Sequence, residues 1–97
     1  MPDRQVLLER WLNLTRTHLP ALAIQHGWPI RLDHCFMRVC LDASLGARWD
    51  SVVRRPAIRT LNVAQLAGAV AQAEAIVADP ASLPRLNLAS LRMRQKA

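Results

Sequence analysis

This chain of 97 residues has few of the residues that build sheets and loops. Aromatic side chains make up 4% of it, with no tyrosine and one phenylalanine, and it has only three glycines. Alanine and leucine, which favour helices over strands, supply most of its apolar side chains. We therefore predict an all-α fold: a small orthogonal bundle of three main helices plus short helical connectors, in a single domain that spans residues 1–97.

Long apolar runs and paired cysteines are also missing. No apolar run approaches the roughly 18 residues of a membrane-spanning helix, and no secretory signal pattern opens the chain. The two cysteines, Cys35 and Cys40, would lie about 140° apart around a helix, so they cannot form a disulfide with each other. We therefore expect a soluble cytoplasmic protein with reduced thiols and no membrane contact.

Signatures of catalysis and metal binding are absent from the sequence. It contains no glycine-rich phosphate loop, no nucleophile elbow and no zinc-binding helix of the His-Glu type. Its cysteines and histidines do not have the paired spacing of a zinc site. We expect no metal and no cofactor, and the residues favour a binding module over an enzyme.

Basic residues outnumber acidic ones. Thirteen Lys and Arg against seven Asp and Glu give a net charge of +6, and Lys96 is the single lysine. Arginine presents a planar fork of donors that suits phosphate and carboxylate, so this surface should attract polyanions. Codon bias in a GC-rich genome would explain why arginine replaces lysine, but it does not remove the excess of positive charge.

Caps and prolines predict where the first two main helices begin and end. The first should start near Asp3, bend or restart at Pro20, and end at Gly27. The second should have Asp33 as its N-cap, end at Gly46 and lie at the centre of the bundle. The apolar residues predicted to face inward are Val6, Leu7, Trp11, Leu14 and Leu22 in the first helix and Phe36, Val39, Cys40 and Ala43 in the second.

The third main helix has the clearest amphipathic pattern. Asn62 and Gln65 resemble a capping box at its start, and Pro80 follows its end. Its apolar positions recur at spacings of three and four, namely Val63, Leu66, Val70, Ala73 and Val77.

The remaining segments are expected to be shorter and less regular. Asp50 can cap one helical turn before Pro56 prevents a longer helix. Residues 88–97 are predicted to form a basic, partly helical C-terminal tail, in which Leu88 and Leu91 dock on the bundle.

The stretch from Asp33 to Asp42 is the first candidate site. His34, Arg38 and Asp42 recur at intervals of four and would share one face of the helix. Cys35 falls in the first turn, where the helix dipole and free N–H groups stabilise a thiolate. These residues predict either a reactive thiol or a small polar pocket. The structural alternative is that Arg38 pairs with Asp42 and that the thiols serve as small apolar side chains.

The second candidate site is a cluster of arginines around a tryptophan. Its members are Arg48, Trp49, Arg54, Arg55 and Arg59. Arginine supplies charge for phosphate groups, and an exposed aromatic ring can stack on a base. The alternatives are that Trp49 anchors the core and that the arginines are solvated or paired with Asp42 and Asp50.

Four short patterns carry a resemblance to a known family. They are W-P-I-x-x-D-H-C-F-x-R-V-x-L-D, G-x-R-W-D and R-P-A within residues 28–57, and L-N-x-x-S-L-x-x-R at residues 86–94. The chain resembles a family of small uncharacterised bacterial and fungal proteins, some of which are labelled GNAT-type acetyltransferases. It lacks the Arg/Gln-x-x-Gly-x-Gly/Ala pyrophosphate loop of such enzymes, so the resemblance implies no activity. The positions that the resemblance implies for a site are Trp28, His34, Cys35, Arg38, Asp42, Arg48, Trp49 and Arg55.

Two functions of different classes follow from these residues. The first is a non-enzymatic binding module that recruits an acidic partner, with nucleic acid favoured over an acidic protein surface, through the five residues of the second candidate site. The alternative is a small-molecule or thiol-dependent site on the Asp33–Asp42 helix, for which Trp28 or Trp49 forms a wall. The candidate catalytic residues of that site are His34, Cys35, Arg38 and Asp42. The sequence leaves open whether the protein is a monomer or a homodimer.

Overall fold

Helices form every regular element of residues 3–95, the part of the chain that the computed structural model describes. In chain order the elements are α1 (Arg4–Asn13), a π turn (Leu14–His18), α2 (Leu19–His26), α3 (Asp33–Leu45), a 3-10 turn (Trp49–Ser51), α4 (Ala57–Thr60), α5 (Val63–Ala78), a second 3-10 turn (Pro80–Ser82) and α6 (Leu83–Met93). The all-α class is confirmed, since these residues contain no strand. The structure has four long helical segments rather than the three predicted, because the C-terminal segment forms a helix of its own. The orthogonal arrangement stays a prediction.

The first segment runs from Arg4 to His26 without a break, although Pro20 lies inside it. Proline lacks an N–H, and its ring clashes with the preceding turn of an α-helix. A wider π turn lies just before it, in which the N–H of Leu19 donates to the carbonyl of Leu14, five residues back. The helix therefore continues past Pro20 and ends at Gly27, whose φ of 62° gives the predicted left-handed cap.

Helix α3 lies at the centre of the fold, with the π turn, α2, α5 and α6 packed around it. It begins at Asp33 and ends at Gly46, whose φ is 71°. The N-cap position is Leu32 rather than the predicted Asp33, and the Asp33 carboxylate accepts the N–H of His34 at 2.8 Å instead. This shift of one residue keeps the carboxylate in the first turn, where the helix dipole favours negative charge.

The start of α5 confirms the predicted capping box. The N–H of Gln65 donates to Oδ1 of Asn62 at 2.8 Å, and the N–H of Asn62 donates to Oε1 of Gln65 at 3.0 Å. The buried face of the helix consists of Leu66, Ala69, Val70, Ala73 and Ile76. Val63, predicted to face inward, is 36% exposed.

The C-terminal segment differs most from its prediction. Instead of a partly helical tail it forms the regular helix α6, which starts five residues earlier than the predicted tail. Leu88 and Leu91, predicted to dock, are 48% and 45% exposed, because the helix turns a polar face inward. The buried residues of α6 are Leu83, Asn87 and Ser90. Lys96, counted in the predicted basic tail, lies outside the described residues.

The apolar core lies between α1, α3 and α5. Trp11 and Phe36 are almost fully buried in it, and Trp28 packs on Phe36 with ring centroids 5.9 Å apart. Val6, predicted to face inward, is 53% exposed, because it lies beside the stripe that Leu7 and Trp11 form on α1. No helix within residues 3–95 is long and apolar enough to cross a membrane.

Candidate functional site

Asp42 is the centre of a buried polar cluster. Its side chain is fully buried, and its oxygens accept three hydrogen bonds. The N–H of Trp49 donates to Oδ1 at 2.8 Å, the hydroxyl of Ser90 donates to Oδ2 at 2.6 Å, and Nη1 of Arg94 donates to the same Oδ2. With these donors around it, the carboxylate holds α3, α6 and the turn at Trp49 together.

The structural alternative predicted that Arg38 pairs directly with Asp42. Arg38 does reach the same cluster, but it binds other residues there. Its Nη1 donates to the hydroxyl of Ser90 at 2.6 Å, and its Nη2 donates to Oδ1 of Asn87 at 2.8 Å. The Ser90 hydroxyl therefore lies between the two, accepting from Arg38 and donating to Asp42. We call the following five residues the Asp42 cluster: Arg38, Asp42, Asn87, Ser90 and Arg94. It contains two guanidinium groups and one carboxylate, and so carries a net charge of +1.

The α6 members of this cluster were missed as site residues at the sequence level. Asn87 and Ser90 lie in α6 and Arg94 is its C-cap residue, and their spacings of three and four place all three on one side of the helix. They are the polar residues of the pattern L-N-x-x-S-L-x-x-R. A signal was therefore present: a polar stripe on one helix matched the stripe of Arg38 and Asp42 on another.

Asp50 forms a second cluster at the surface. It was predicted to cap a helical turn, but it lies inside the 3-10 turn and binds two arginines instead. Oδ2 of Asp50 lies 3.2 Å from Nη2 of Arg48 and 3.1 Å from Nη2 of Arg55. Hydrogen bonds from the side chains of Arg48 and Arg55 lower the pKa of the Asp50 carboxyl. We call these three residues the Asp50 cluster, which also carries a net charge of +1.

The remaining members of the second candidate site differ in their surroundings. Trp49 is half-buried, and the guanidinium of Arg55 lies 4.9 Å from the centroid of its ring. Arg54 and Arg59 are exposed, and neither lies within 4.0 Å of a carboxylate in residues 3–95. The predicted pairing of arginines with Asp50 therefore holds for two of the four, while Asp42 pairs with Arg94 instead.

A pocket of about 320 Å³ opens where the two candidate sites meet. It lies between α1, α3 and the segment from Trp49 to Ile58. The residues that line it are Trp11, His34, Met37, Arg38, Leu41, Trp49, Arg55, Pro56, Ala57 and Ile58. Two of these residues, His34 and Arg38, are candidate catalytic residues of the first site, and two others, Trp49 and Arg55, belong to the second, so residues of both candidate sites line one cavity.

The pocket includes some predicted wall and site residues and leaves others out. Trp49 forms a wall, as one of the two predicted choices, whereas Trp28 is buried in the core. His34 lies at the rim with its side chain 72% exposed. The six apolar lining residues other than Trp49 were missed, because they come from three separate stretches of the chain that only the fold brings together.

The two thiols have no place in this cavity. Cys40 is buried, and burial raises the pKa of its thiol to about 12, which keeps it protonated and unreactive at neutral pH. Cys35 is half-buried and is not among the lining residues. No group of three or more His, Cys, Asp and Glu side chains in the described part of the chain could hold a metal ion.

Comparison with known proteins adds no further constraint. The chain matches no family model, and neither a curated protein nor a solved structure is similar to it. The resemblance to the family with the W-P-x-x-x-D-H-C-F pattern stays a prediction.

Proposed function

We propose that this protein is a binding module for a small organic molecule, which it holds in the pocket between α1, α3 and the segment 49–58. The single observation that carries the proposal is the cavity itself. Its volume of about 320 Å³ lies at the lower end of the range for ligand sites. Most of its lining is apolar, with a few polar groups at defined positions, which is the usual composition of such sites.

The walls of the pocket are held in place before any ligand arrives. The N–H of Trp49 is fixed on the buried carboxylate of Asp42. At the other end of the same segment, Nη2 of Arg4 donates to the carbonyl of Ile58, and its Nε donates to the carbonyl of Leu61 at 3.0 Å. A preformed cavity costs little ordering free energy on binding, which favours affinity for a small ligand.

The proposal can be tested with a set of aromatic probes. We expect benzoate, indole, 2-naphthoate or its neutral amide to shift the NMR signals of Trp49 and Ile58. Ala57→Phe fills the cavity and should abolish these shifts, while Ala71→Phe adds the same ring to the exposed face of α5 and should not. Circular dichroism would confirm that both variants are folded. If no probe moves the signals of the lining residues, the proposal is wrong.

A second candidate function is the recruitment of nucleic acid. It is supported by Arg54 and Arg59, which are exposed and have no carboxylate partner among residues 3–95. Against it, Asp50 already neutralises part of the charge of Arg48 and Arg55, and the half-buried Trp49 has Arg55 beside its ring. These contacts leave fewer free groups for phosphates and bases than the sequence predicted, so we place the small-molecule pocket first.

Gel-shift titrations at two salt concentrations would test this second function. Binding through phosphates should weaken steeply as salt is raised. The double variant Arg54→Gln/Arg59→Gln should weaken it more than Arg85→Gln/Arg92→Gln, which removes the same charge from the exposed side of α6. Equal losses for the two double variants would indicate attraction to net charge alone. Absence of binding at low salt would exclude nucleic acid, and a pull-down with acidic proteins would then test the other acidic partner.

A further inference from the structure

We infer that the ligand of this pocket is an organic anion: an apolar body with one negatively charged group that binds Arg55, with Arg38 deeper in the cavity. The inference rests on the proposed function and adds the chemical class of the ligand. It comes from the charges around the cavity, from the hydrogen-bond donors that are still free, and from the apolar walls beside them.

The charges around the cavity favour an anion. None of the ten lining residues is acidic, whereas Arg38 and Arg55 both line it. Three carboxylates lie close to lining residues but outside the lining. Asp42 and Asp50 are each shared within a cluster that keeps a net charge of +1. Asp33 lies 3.7 Å from His34 at the rim and the same distance from Arg16, so it is also shared. An anionic group in the cavity would therefore meet uncompensated positive charge from both sides.

Both arginines also keep donors free. A guanidinium has five N–H bonds. Among the described residues, Arg38 donates through two hydrogen bonds and Arg55 through one. Both hydrogen bonds of Arg38 go to neutral oxygens, so its guanidinium has no direct anionic partner among the described residues. A carboxylate accepts from such planar forks with two oxygens, which makes it the group that fits best.

The apolar walls specify the rest of the ligand. Trp11, Leu41 and Ile58 line the cavity together with Met37 and Trp49, so an aromatic or branched aliphatic body can fill it. Free inorganic phosphate would leave these walls in contact with water. His34 contributes little to the choice between an organic and an inorganic anion, because its exposed ring is screened by solvent. The combination points to a small monocarboxylate rather than to an inorganic anion.

A pair of probes with equal shape tests the inference. 2-Naphthoate and 2-naphthamide differ by one charge, and calorimetry should give about tenfold tighter binding for the carboxylate, as expected for a hydrogen bond to a charged partner. Arg55→Gln should reduce this preference to about threefold or less. Arg31→Gln removes an equal charge from an exposed residue outside the lining and should leave the preference nearly unchanged. Inorganic phosphate should not compete.

A substitution of Asp50 should change the affinity for 2-naphthoate in the opposite direction. Asp50→Asn frees Arg55 from its carboxylate partner, so 2-naphthoate should bind several-fold more tightly while 2-naphthamide is unaffected. Equal affinities of the two probes for the wild-type protein would overturn the inference and leave the proposed function standing. A carboxylate preference that stays near tenfold in Arg55→Gln would also overturn it. If neither probe nor any other compound of the set binds, the proposed function itself fails.

Discussion

Asp42 and Asp50 each serve two arginines, but they do so in opposite surroundings. Asp42 is fully buried and connects elements that lie about fifty residues apart in the chain, with Arg94 bound directly and Arg38 through the Ser90 hydroxyl. Asp50 keeps 17% of its side chain exposed and binds partners at most five residues away. One cluster therefore fixes the fold, while the other belongs to a local turn beside the pocket.

The difference follows from where water is present. A buried carboxylate has lost its hydration. If its hydrogen-bond donors are removed, the carboxylate stays buried without partners, and if the carboxylate is removed, its donors do. At the surface, water replaces a lost partner, and the gain from each ion pair is small. The same two-to-one arrangement of arginine and aspartate is thus structural in the Asp42 cluster and adjustable in the Asp50 cluster.

Asp42→Ala should produce the largest effect and would break the comparison if it did not. The substitution removes the acceptor for Ser90, Arg94 and the N–H of Trp49. We expect a loss of about 3 kcal/mol in the free energy of unfolding, measured by urea denaturation. Asp50→Ala is the matched control and should shift the urea midpoint far less. Similar shifts for the two variants would mean that burial does not separate the clusters.

Ser90→Ala should have an intermediate effect and sharpens the comparison. Without the hydroxyl, Arg38 and Asp42 each lose one partner inside the cluster. We expect a loss of about 1–2 kcal/mol in the free energy of unfolding. Ser51→Ala removes an exposed hydroxyl that donates to a carbonyl and should cost less.

A double-mutant cycle checks the reason for the Ser90 effect. In the Asp42→Ala background, Ser90→Ala should cost less than in the wild-type protein, because the two residues share one network. Additive losses from the two substitutions would show that the serine acts independently of the carboxylate.

The smallest expected effect is a change in the titration midpoint of Asp50 in the Asp50 cluster. Hydrogen bonds from Arg48 and Arg55 lower the pKa of Asp50, so its NMR titration should have a midpoint below the ordinary value of about 3.9. Because the folded-state pKa is lowered, the stability it contributes is present above that ordinary value and is lost as the pH falls through the folded-state pKa. Arg55→Gln should raise the midpoint, while Arg54→Gln, at the neighbouring exposed position, should not. An unchanged midpoint in Arg55→Gln would contradict the assigned cause.

Local chemistry made much of the fold predictable. The capping box of Asn62 and Gln65, the left-handed cap at Gly27 and the helix end at Gly46 depend on a few adjacent residues, and each is found where it was predicted. The failure at α6 has a clear physical reason. We predicted its inward face from its apolar residues, but Asn87 and Ser90 face inward because they bind Arg38 and Asp42 on α3. The polar stripe of α6 indicates this face only when it is compared with the polar stripe of α3.

The candidate site shows the same division. Arg38 and Trp49 were named from sequence because charge and aromaticity are visible in the residue itself. The cavity was not predicted, because its apolar lining includes Trp11, Met37 and Ile58, which are distant from one another in the chain. An apolar side chain that faces a pocket has the same sequence signal as one in the core, and only the packing separates them.

The position of Asp42 links the pocket to the last helix. Its Oδ1 holds the backbone of Trp49, which is a wall of the pocket, while its Oδ2 holds Ser90 and Arg94 on α6. If α6 separated from α3, the carboxylate would gain access to water and its hold on the wall would weaken. A ligand bound in the proposed pocket and a docked α6 would therefore stabilise each other, and we expect ligand binding to slow amide hydrogen exchange along α6.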